Sequence, residues 1–499
     1  MPEDCKIGLR NRGICVIIPT YNNAGTVADV VSRAQAFCQD VFVVLDGCTD
    51  DTLTRLEALP EKPRCIVIGR NKGKGNALKE GFRHAREAGF AYAITLDADG
   101  QHYPEDIPLF LEANRRNPGA LIVGRRQGLK DAVRSKGSRF ANAFSNFWFF
   151  LQTFIPLKDT QTGYRLYPLK RIWGPFSARY EAELALLVFS AWRGVPLVSQ
   201  DVRVYYPQRD ERVSHFRPIA DFARITLLNV FLCILALVFG LPWTLLRWVF
   251  RVFKTLFIVL FYVTVMLFLV MPCMWFFLKI GSDTDEKKEK LHRIICRLAQ
   301  VGTRLFRWVG NPFTLAGNRE EDFSSPAIIT CNHQSHLDLL PMLALTPKLV
   351  ILTADWVWNN PLYGFIIRKA DFLPASRGLE ATTPQLADLV KQGYSIVIYP
   401  ESTRSLDCSI GRFHQGAFYL ADCLDVDILP VILYGAGRAL PKHGRILRPW
   451  PIRLEIDGRI SPETLRQKGD CYKAQASWLR NYYKERYTQI ADKVEQTIA

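Results

Sequence analysis

The strongest constraint on this chain is an apolar block between Ile225 and Leu278, near the middle of 499 residues. Its first part, Ile225 to Leu246, has 22 residues without a charge, and its second part, Thr255 to Leu278, has 24. A helix of about 20 apolar residues can cross the hydrocarbon layer of a bilayer. Each part is long enough to span it, so the block predicts that the protein is held in a membrane.

The link between the two parts, Arg247 to Lys254, is too short for a domain and carries the Arg, Lys and Trp that favour a membrane interface. It predicts a helical hairpin over residues 221–282, between soluble domains at 1–220 and 283–499. Cations at the tip oppose the preference of positive loops for the cytoplasm. A re-entrant hairpin, whose cations reach back to the headgroups, would remove this conflict. Both forms of the hairpin remain open.

Composition bears on the partners and the compartment. The formal net charge of +16, together with the apolar block, favours an anionic membrane surface over nucleic acid. Twelve cysteines without a C-x-x-C pair indicate reduced thiols. The first apolar run, Cys15 to Pro19, is too short for the core of a signal peptide. These features predict an inner-membrane protein with both soluble domains facing the cytoplasm.

The first half has the rhythm of a βαβ fold, because short apolar runs alternate with longer helical patterns between residues 14 and 124. This predicts a doubly wound α/β domain with a parallel sheet, whose ligands bind at the carboxyl ends of the strands. Polar segments follow four of the predicted strands: Pro19 to Asn22, Asp46 to Asp50, Asn71 to Gly75 and Asp97 to Gln101.

Asp97 and Asp99 come directly after the fourth strand and lie two residues apart. They could present carboxylate oxygens to one hard divalent ion, which would neutralise a nucleotide diphosphate leaving group. Gln101 could add a third oxygen. An isolated D-x-D pair is also compatible with a solvated turn, so the surrounding sequence has to decide.

Three stretches resemble the family 2 glycosyltransferases, and most closely the dolichyl-phosphate mannose synthases: Val16-Ile-Ile-Pro-Thr-Tyr-Asn22, Asn71-Lys-Gly-Lys-Gly-Asn-Ala77 and Leu96-Asp-Ala-Asp-Gly-Gln-His102. The resemblance covers about residues 12–220 and implies inverting transfer from a nucleotide sugar. It implies a catalytic Asp99 and a Mg²⁺ or Mn²⁺ ion held by Asp97, Asp99 and Gln101. The nucleotide-sugar contacts that it implies are Pro19, Tyr21, Asp46, Lys74 and Asp97.

A possible acceptor site follows. Arg134, Ser138 and Asn142 recur at i, i+4 and i+8, so on a helix they share one face. With Arg126 and Lys136 they could grip a phosphate, although an ordinary basic surface helix would show the same pattern. The resemblance adds the motif Asp159 to Arg165, with Arg165 on the acceptor side, and implies a polyprenyl phosphate whose own oxygen attacks.

The chain departs from the family after the second predicted strand. Leu45-Asp46 stands where the family has two adjacent acids, and Cys48 stands in place of Ser. The identity of the nucleotide therefore remains open.

Beyond the apolar block, Lys287 to Arg307 places apolar residues on one helical face and cations over the rest. The pattern is typical of an interfacial helix and of a helix packed on a following domain. From Ala327 onward the βα rhythm returns, which predicts a second α/β domain.

In Asn332-His-Gln-Ser-His-Leu-Asp338, His333 lies five residues before Asp338. A histidine oriented by a carboxylate can take the proton of an acceptor hydroxyl as that hydroxyl attacks a thioester. His336 lies only two residues from Asp338, and we interpret it as a filler at a variable position.

Three further blocks resemble the glycerolphosphate and lysophospholipid acyltransferases: Tyr399-Pro-Glu-Ser-Thr-Arg-Ser405, Arg412-Phe-His-Gln-Gly416 and Leu429-Pro-Val431. The resemblance spans about residues 290–495 and implies an acyl-CoA or acyl carrier protein donor. It also implies His333 as base, Asp338 as its orienting partner, and Glu401 and Arg404 as acceptor-binding residues. Ser402 replaces the usual Gly, so the acceptor remains open.

Together these patterns predict a bifunctional membrane enzyme that glycosylates a lipid or lipid-linked acceptor and acylates the same or a related molecule, as in glycolipid or lipid-anchored pigment biosynthesis. The alternative is an acyltransferase with a non-catalytic glycosyltransferase-like binding module. The intact Asp97, Asp99 and Gln101 argue against that alternative.

Overall fold

The structure is a computed structural model that describes residues 2–127, 136–172, 179, 181–205, 218–280, 284–318, 320–361 and 363–498. The chain divides into two compact units, Met1–Trp248 with Asp492–Ala499, and Val249–Ala491. This division falls inside the apolar block. The domain boundaries expected at residues 220 and 282 stay a prediction.

The first unit contains a seven-stranded sheet of order β3-β2-β1-β4-β6-β5-β7. Its strands are β1 Ile14–Thr20, β2 Val41–Asp46, β3 Arg64–Ile68, β4 Tyr92–Thr95, β5 Leu121–Arg126, β6 Arg165–Pro168 and β7 Leu197–Val202. The short apolar runs between residues 14 and 124 correspond to β1 to β5. The sheet is mixed rather than wholly parallel, because β6 pairs antiparallel with both β4 and β5.

Helices cover both faces of this sheet: α1 Pro2–Asn11, α2 Val27–Gln35, α3 Thr52–Glu57, α4 Lys74–Glu87, α5 Ile107–Arg116, α6 Lys136–Thr153 and α7 Glu181–Trp192. Successive residues of β1 enter different cores, Val16 and Ile18 on one side and Cys15 and Ile17 on the other. This alternation follows from the pleat of a strand whose two faces are both buried.

The apolar block forms α8 Pro218–Leu235, α9 Leu241–Val265 and α10 Met271–Lys279, joined by single π-helical segments at Ala236–Gly240 and Met266–Val270. Among the described residues one helix, Ala223–Lys279, is long and apolar enough to cross a membrane, and only 6 % of its most apolar window is buried. Gly240 is needed at the first π segment because a Cβ there would meet the Trp192 ring at 2.3 Å.

The expected hairpin is not what the structure shows, since the two apolar parts follow one another in the uninterrupted helix Ala223–Lys279. Arg247 to Lys254 contains neither Gly nor Pro, so nothing in that link stops the helical hydrogen bonding. Pro242 and Pro272 each lie two residues after the last residue of a π segment. Such segments let a helix continue past the N–H group that proline lacks.

The second unit is built on a seven-stranded sheet of order β11-β10-β12-β9-β13-β14-β8. Its strands are β8 Phe313–Gly317, β9 Ile328–Cys331, β10 Leu349–Thr353, β11 Leu373–Pro374, β12 Ser395–Ile398, β13 Ile428–Tyr434 and β14 Ile452–Ile456. The four expected strands form its parallel centre, and β14 pairs antiparallel with β13. The second α/β domain is thereby confirmed.

Its helices are α11 Asp285–Trp308, α12 Leu339–Leu343, α13 Asp355–Trp358, α14 Gly364–Lys369, α15 Leu379–Lys391, α16 Gly416–Leu424, α17 Ala436–Ala439, α18 Pro462–Lys468 and α19 Tyr472–Ile498. The hydroxyl of Thr284 caps α11 by accepting the backbone N–H of Lys287. Leu291 on α11 is buried, whereas Leu298 and Leu305 are exposed. The helix therefore packs on its domain through part of its apolar face and leaves the rest uncovered.

Two candidate active sites

The first site lies at the carboxyl edge of the first sheet, where Lys74 opens α4 and Asp97 follows β4. The Lys74 ammonium lies 2.6 Å from Oδ1 of Asp97 and 3.1 Å from Oε2 of Glu183. Burial acts to lower the pKa of Lys74, but the two carboxylates outweigh it and the pKa ends above its ordinary value. Burial likewise acts to raise the pKa of Asp97, and Lys74 reverses that effect. The three groups form a charge cluster in which Glu183 is buried and Lys74 and Asp97 are half-buried.

Asp99 lies beside this cluster, and its pKa is shifted in the direction opposite to that of Asp97. Burial, followed by the negative charge of Asp97, raises the pKa of Asp99 to about 6. Its Oδ1 accepts the backbone N–H of Gln101 at 3.0 Å. Two carboxylates at a strand end repel each other, and a hard divalent cation bound by both would relieve this repulsion.

The position of Gly163 shows how much room there is beside Asp97 and Lys74, where a metal ion was expected. A Cβ at that position would lie 2.5 Å from the Asp97 carboxylate and 2.8 Å from Nζ of Lys74. The loop therefore presses against the charge cluster as closely as glycine allows. The described residues contain no group of three or more His, Cys, Asp or Glu side chains placed to hold a metal. The binding of a cation by Asp97, Asp99 and Gln101 stays a prediction.

Asp46 organises the loop in front of α4. Its two oxygens accept the backbone N–H groups of Lys72 at 2.8 Å and Gly73 at 2.7 Å. Gly47 takes φ +70°, and a Cβ there would lie 2.2 Å from the backbone N of Asn71. Pro19 is buried at the end of β1, and Tyr21 lies half-buried beyond it. Their nucleotide-binding roles stay a prediction, and the geometry gives Asp46 the further role of holding the Lys74 loop.

The acceptor-side residues are placed differently from the expectation. Arg126 makes a two-pronged ion pair with Asp159, with Nε to Oδ2 at 2.7 Å and NH2 to Oδ1 at 2.9 Å. Arg165 is fully buried and donates to the backbone oxygens of Glu183 and Thr160. Direct acceptor binding by Arg165 therefore needs correction, because a closed core surrounds its guanidinium and gives it a positioning role. Arg134 lies outside the described residues, and only the backbone of Ser138 is described.

Glu183 was missed by the sequence interpretation. It lies 86 residues from Asp97 in the chain, at the start of α7, and no short motif connects them. Its Oε1 is buried without a hydrogen-bond partner among the described residues. The only sequence signal was a pair of acids, Glu181 and Glu183, opening an otherwise apolar helix.

The second site lies after β9, where the histidine and the aspartate are brought together as expected. Nδ1 of His333 lies 2.8 Å from Oδ2 of Asp338. The same oxygen accepts the backbone N–H groups of Gln334 and Ser335, at 2.6 and 2.8 Å. An oxygen that accepts two N–H groups is fixed as an acceptor, so we assign the ring proton to Nδ1 and a free lone pair to Nε2. His333 is therefore oriented as a general base.

Glu401 holds the backbone of His333 in place. Its Oε1 accepts the backbone N–H of His333 at 2.9 Å, and its Oε2 accepts that of Gly411 at 2.7 Å. Burial raises the pKa of Glu401. A Cβ on Gly411 would lie 2.7 Å from Oε2. Acceptor binding by Glu401 stays a prediction, and the structure gives it the additional task of positioning His333.

Arg404 and His336 lie near the same opening. The Arg404 side chain approaches the backbone oxygen of Lys442 at 3.4 Å, a weak contact that leaves the guanidinium half-buried. Burial, followed by the charge of Arg404, lowers the pKa of His336. The His336 ring packs edge-on against Trp356 rather than against Asp338. His336 therefore lacks the carboxylate that orients His333.

Tyr399 and Asn332 are contributors that sequence reasoning did not single out. The Tyr399 ring lies 4.4 Å from that of His333, and its hydroxyl is buried without a partner in the described part of the chain. Asn332 exchanges two hydrogen bonds with the backbone of Leu433, at 2.9 and 2.8 Å, tying β9 to β13. Cys331 is fully buried, and burial raises the pKa of its thiol well above the ordinary value, which favours the neutral thiol over the thiolate.

Comparison with known families agrees with both sites. Residues 15–169 match the family model described as Glycosyl transferase family 2, and residues 313–434 match the model described as Acyltransferase. The chain thus joins a domain that matches the family 2 glycosyltransferases to a domain that matches the acyltransferases. The first match contains Lys74, Asp97 and Asp99, and the second contains His333 and Asp338.

Curated relatives match one domain or the other. A 1-acyl-sn-glycerol-3-phosphate acyltransferase from Cocos nucifera is 30% identical over 171 residues, which are 33% of this chain and 54% of the relative. An undecaprenyl-phosphate 4-deoxy-4-formamido-L-arabinose transferase from Sodalis glossinidius is 29% identical over 140 residues, 26% of this chain and 42% of the relative. The chain thus spans about half or less of the length of these two relatives.

Among solved structures, glucosyl-3-phosphoglycerate synthase from Mycobacterium tuberculosis, in complex with Mn²⁺, uridine diphosphate and phosphoglyceric acid, is 17% identical. The likeness covers 47% of this chain and 82% of that one, with a TM-score of 0.36. With a score of this size, the assignment of the two domains rests on the family models.

Proposed function

We propose that the protein is a bifunctional membrane enzyme that transfers a sugar from a nucleotide sugar to a lipid or lipid-linked acceptor, and an acyl group from acyl-CoA or acyl carrier protein to the same or a related molecule. The observation that carries the proposal is that each domain has its own assembled site. Lys74 joins Asp97 and Glu183 in one, and His333 joins Asp338 in the other.

In the glycosyltransferase domain the acceptor is a lipid phosphate, as in the relative from Sodalis glossinidius. Its oxygen attacks the anomeric carbon, the bond from that carbon to the nucleotide diphosphate breaks, and the sugar inverts. Mg²⁺ or Mn²⁺ held by Asp97, Asp99 and Gln101 would neutralise the departing diphosphate. The ammonium group of Lys74 would place a further positive charge next to the departing diphosphate.

In the acyltransferase domain the acceptor hydroxyl gives its proton to Nε2 of His333 as its oxygen attacks the thioester carbonyl. A carbon–oxygen bond forms, the carbon–sulfur bond breaks, and the thiolate leaves with the proton from the imidazolium. Asp338 stabilises the imidazolium and fixes its orientation. Glu401 keeps the backbone of His333 in place.

The exposed apolar surface supports a membrane location. Helix α6 presents Phe147 and Phe150 to the outside, and Phe154 directly after the helix is exposed too. Most large side chains of α9 are exposed as well. We place the protein at the inner (cytoplasmic) membrane with both domains facing the cytoplasm, because nucleotide sugars and acyl thioesters are made there. With one continuous helix in place of a hairpin, this placement requires that the helix lie along the membrane surface rather than cross the bilayer. Tags at residue 1 and residue 499 test this placement. A C-terminal tag that reports the periplasm would remove the thioester donor and with it the acyl-transfer proposal.

Mass spectrometry of lipid extracts, from cells with and without the gene, tests the function. We expect the lost product to carry both a sugar and an acyl group, or two related products to be lost. Complementation with Asp99→Ala and with His333→Ala should each restore only part of the product. Full complementation by Asp99→Ala would instead mean that the first domain is a binding module.

A further inference from the structure

The second unit contains a cavity of about 820 Å³ where α10 ends and α11 begins. Three elements line it. The end of the apolar helix contributes Trp275, Leu278 and Lys279, α11 contributes Lys287 and Lys288, and α14 contributes Arg368 and Lys369. Five cations face two carboxylates, Asp285 and Asp371, in this lining. The cavity thus carries an excess of positive charge.

Part of this charge is used to hold the cavity together. Nζ of Lys287 donates to the backbone oxygen of Leu278 at 2.9 Å, which satisfies a carbonyl of the last turn of α10. Lys288 makes an ion pair with Asp371 at 2.8 Å, joining α11 to the loop after α14. Lys279 lies over the Trp275 ring at 5.8 Å. These contacts hold the walls of the cavity in place. The net charge of the lining side chains stays positive.

Apolar surface continues from the mouth of the cavity along the helix. Trp275, Phe276 and Ile280 are each more than half exposed, at 57%, 62% and 58%. A cationic recess that opens beside exposed aromatic and aliphatic side chains matches a molecule with an anionic head and apolar tails. A free phosphate would use the cations alone and leave this apolar margin without a partner.

From this juxtaposition we propose that the cavity binds the headgroup of an anionic phospholipid, whose acyl chains lie against the exposed side chains of α10. The site does not depend on either transfer reaction. It would fix the depth at which the acyltransferase domain meets the bilayer, because the headgroup contacts lie where the apolar helix ends. Zwitterionic lipids offer the same tails without the net charge and should bind much more weakly.

The test uses full-length protein in a neutral detergent. Dihexanoyl-phosphatidylglycerol, dihexanoyl-phosphatidylcholine and inorganic phosphate are titrated separately, and binding is followed by the shift in melting temperature. We expect saturable stabilisation by the anionic lipid at concentrations at least tenfold lower than by the zwitterionic lipid, and little effect of inorganic phosphate.

The variant Lys279→Gln/Lys369→Gln removes two cations from the lining and should weaken binding of the anionic lipid by about tenfold or more. Its matched control is Arg297→Gln/Arg304→Gln, which removes the same charge from exposed positions of α11 outside the lining. The control should bind like the wild type. Both variants should melt within a few degrees of the wild type without lipid.

Any of four outcomes would overturn the proposal. Equal loss in the control variant would mean diffuse attraction to the charged surface. Equal stabilisation by inorganic phosphate would mean a free-phosphate site, and equal stabilisation by phosphatidylcholine would mean apolar insertion without headgroup recognition. A lining variant that melts early without lipid is replaced by the single changes Lys279→Gln and Lys369→Gln, and unchanged binding in both singles also contradicts the site.

Discussion

The Lys74 ammonium lies 2.6 Å from Oδ1 of Asp97, so the lysine expected to meet the nucleotide and the aspartate expected to meet the metal form an ion pair. Glu183 offers Lys74 a second carboxylate at 3.1 Å. A lysine with two acidic partners can release one and keep the other. Lys74 therefore offsets the negative charge of both Asp97 and Glu183.

The first prediction concerns the metal site. Asp99→Ala should lower sugar transfer by roughly a hundredfold or more while acyl transfer is unchanged, because this carboxylate serves only the nucleotide diphosphate. Chelation by EDTA should have the same selectivity, and Mg²⁺ or Mn²⁺ should restore the wild type. Glu57→Ala, an exposed carboxylate on α3, is the control. Sugar transfer that survives both the mutation and EDTA would refute the assignment.

The second prediction concerns Glu183. Glu183→Gln leaves Lys74 with Asp97 as its charged partner, so the lysine should compete more strongly with a bound cation. The Mn²⁺ concentration for half-saturation, measured by electron paramagnetic resonance without substrate, should rise about three- to tenfold. Glu181→Gln, two residues earlier on the same helix, should leave it unchanged. Equal effects of the two changes would show a general loss of negative charge instead.

The third prediction separates His333 from its neighbour. His333→Ala should lower acyl transfer by roughly 10² to 10⁴, as for the loss of a general base, and leave sugar transfer intact. Asp338→Asn should also remove most acyl transfer, because it keeps the shape but loses the charge that stabilises the imidazolium. His336→Ala is the control and should retain activity. If His336→Ala is as damaging as His333→Ala, the choice of base is wrong.

Local spacing explains which parts of the sites could be predicted. His333 and Asp338 are five residues apart, so one loop and one helical turn suffice to join them. Lys74, Asp97 and Glu183 come from three separate elements, and only the folded sheet brings Glu183 to the other two. The central strands were predictable from their apolar runs because they are buried on both faces of each sheet.

Two expectations failed for physical reasons that composition does not reveal. Arg165 was expected on the acceptor side because it ends the motif Asp159 to Arg165, yet its guanidinium donates to the backbone oxygens of Glu183 and Thr160 inside the core. The charges of Arg247 to Lys254 suggested a turn, but charge does not end a helix. Pro242 and Pro272 were the better indications of where the helix could break, and the π segment before each proline lets the helix continue.

The fourth prediction is a pH dependence of stability. Burial against the rings of Tyr394 and Phe372 lowers the pKa of His292 to about 4. The nearby charges of Lys348 and Lys288 lower it further, and Asp371 acts in the opposite direction. In the unfolded chain the histidine binds a proton near pH 6.5. The contribution of neutral His292 to folding stability is therefore fully present above that pH and is lost as the pH falls from about 6.5 to 4.

The loss attributable to His292 is on the order of 3 kcal/mol across that range. His292→Gln keeps a polar group without the charge and should flatten the fall in melting temperature of the acyltransferase domain between pH 6.5 and 4. His443→Gln, an exposed histidine, should leave the profile as in the wild type. An unaltered profile in His292→Gln would assign the acid sensitivity to other groups.

The fifth prediction concerns a buried ion cluster in the first unit. The Arg12 side chain is 2% exposed, and its guanidinium meets Asn114 at 2.6 Å, Asp492 at 2.7 Å and Glu495. Burial raises the pKa of Asp492 even though Arg12 opposes the shift. The end of α19 thus brings two buried carboxylates to one buried cation.

Removing one partner from such a cluster leaves uncompensated buried charge, which costs about 3 to 5 kcal/mol. Arg12→Met should therefore lower the melting temperature of the glycosyltransferase domain by roughly 10 °C, read from scanning calorimetry of the full chain. Arg116→Met is the matched control, because its ion pair with Glu112 is exposed and worth at most about 1 kcal/mol. The triple variant Arg12→Met/Asp492→Asn/Glu495→Gln should recover much of the loss, since it removes the stranded charges together with the cation. If Arg12→Met melts like Arg116→Met, or if the triple variant is less stable than Arg12→Met, the cluster does not hold the end of α19 in the first unit by charge.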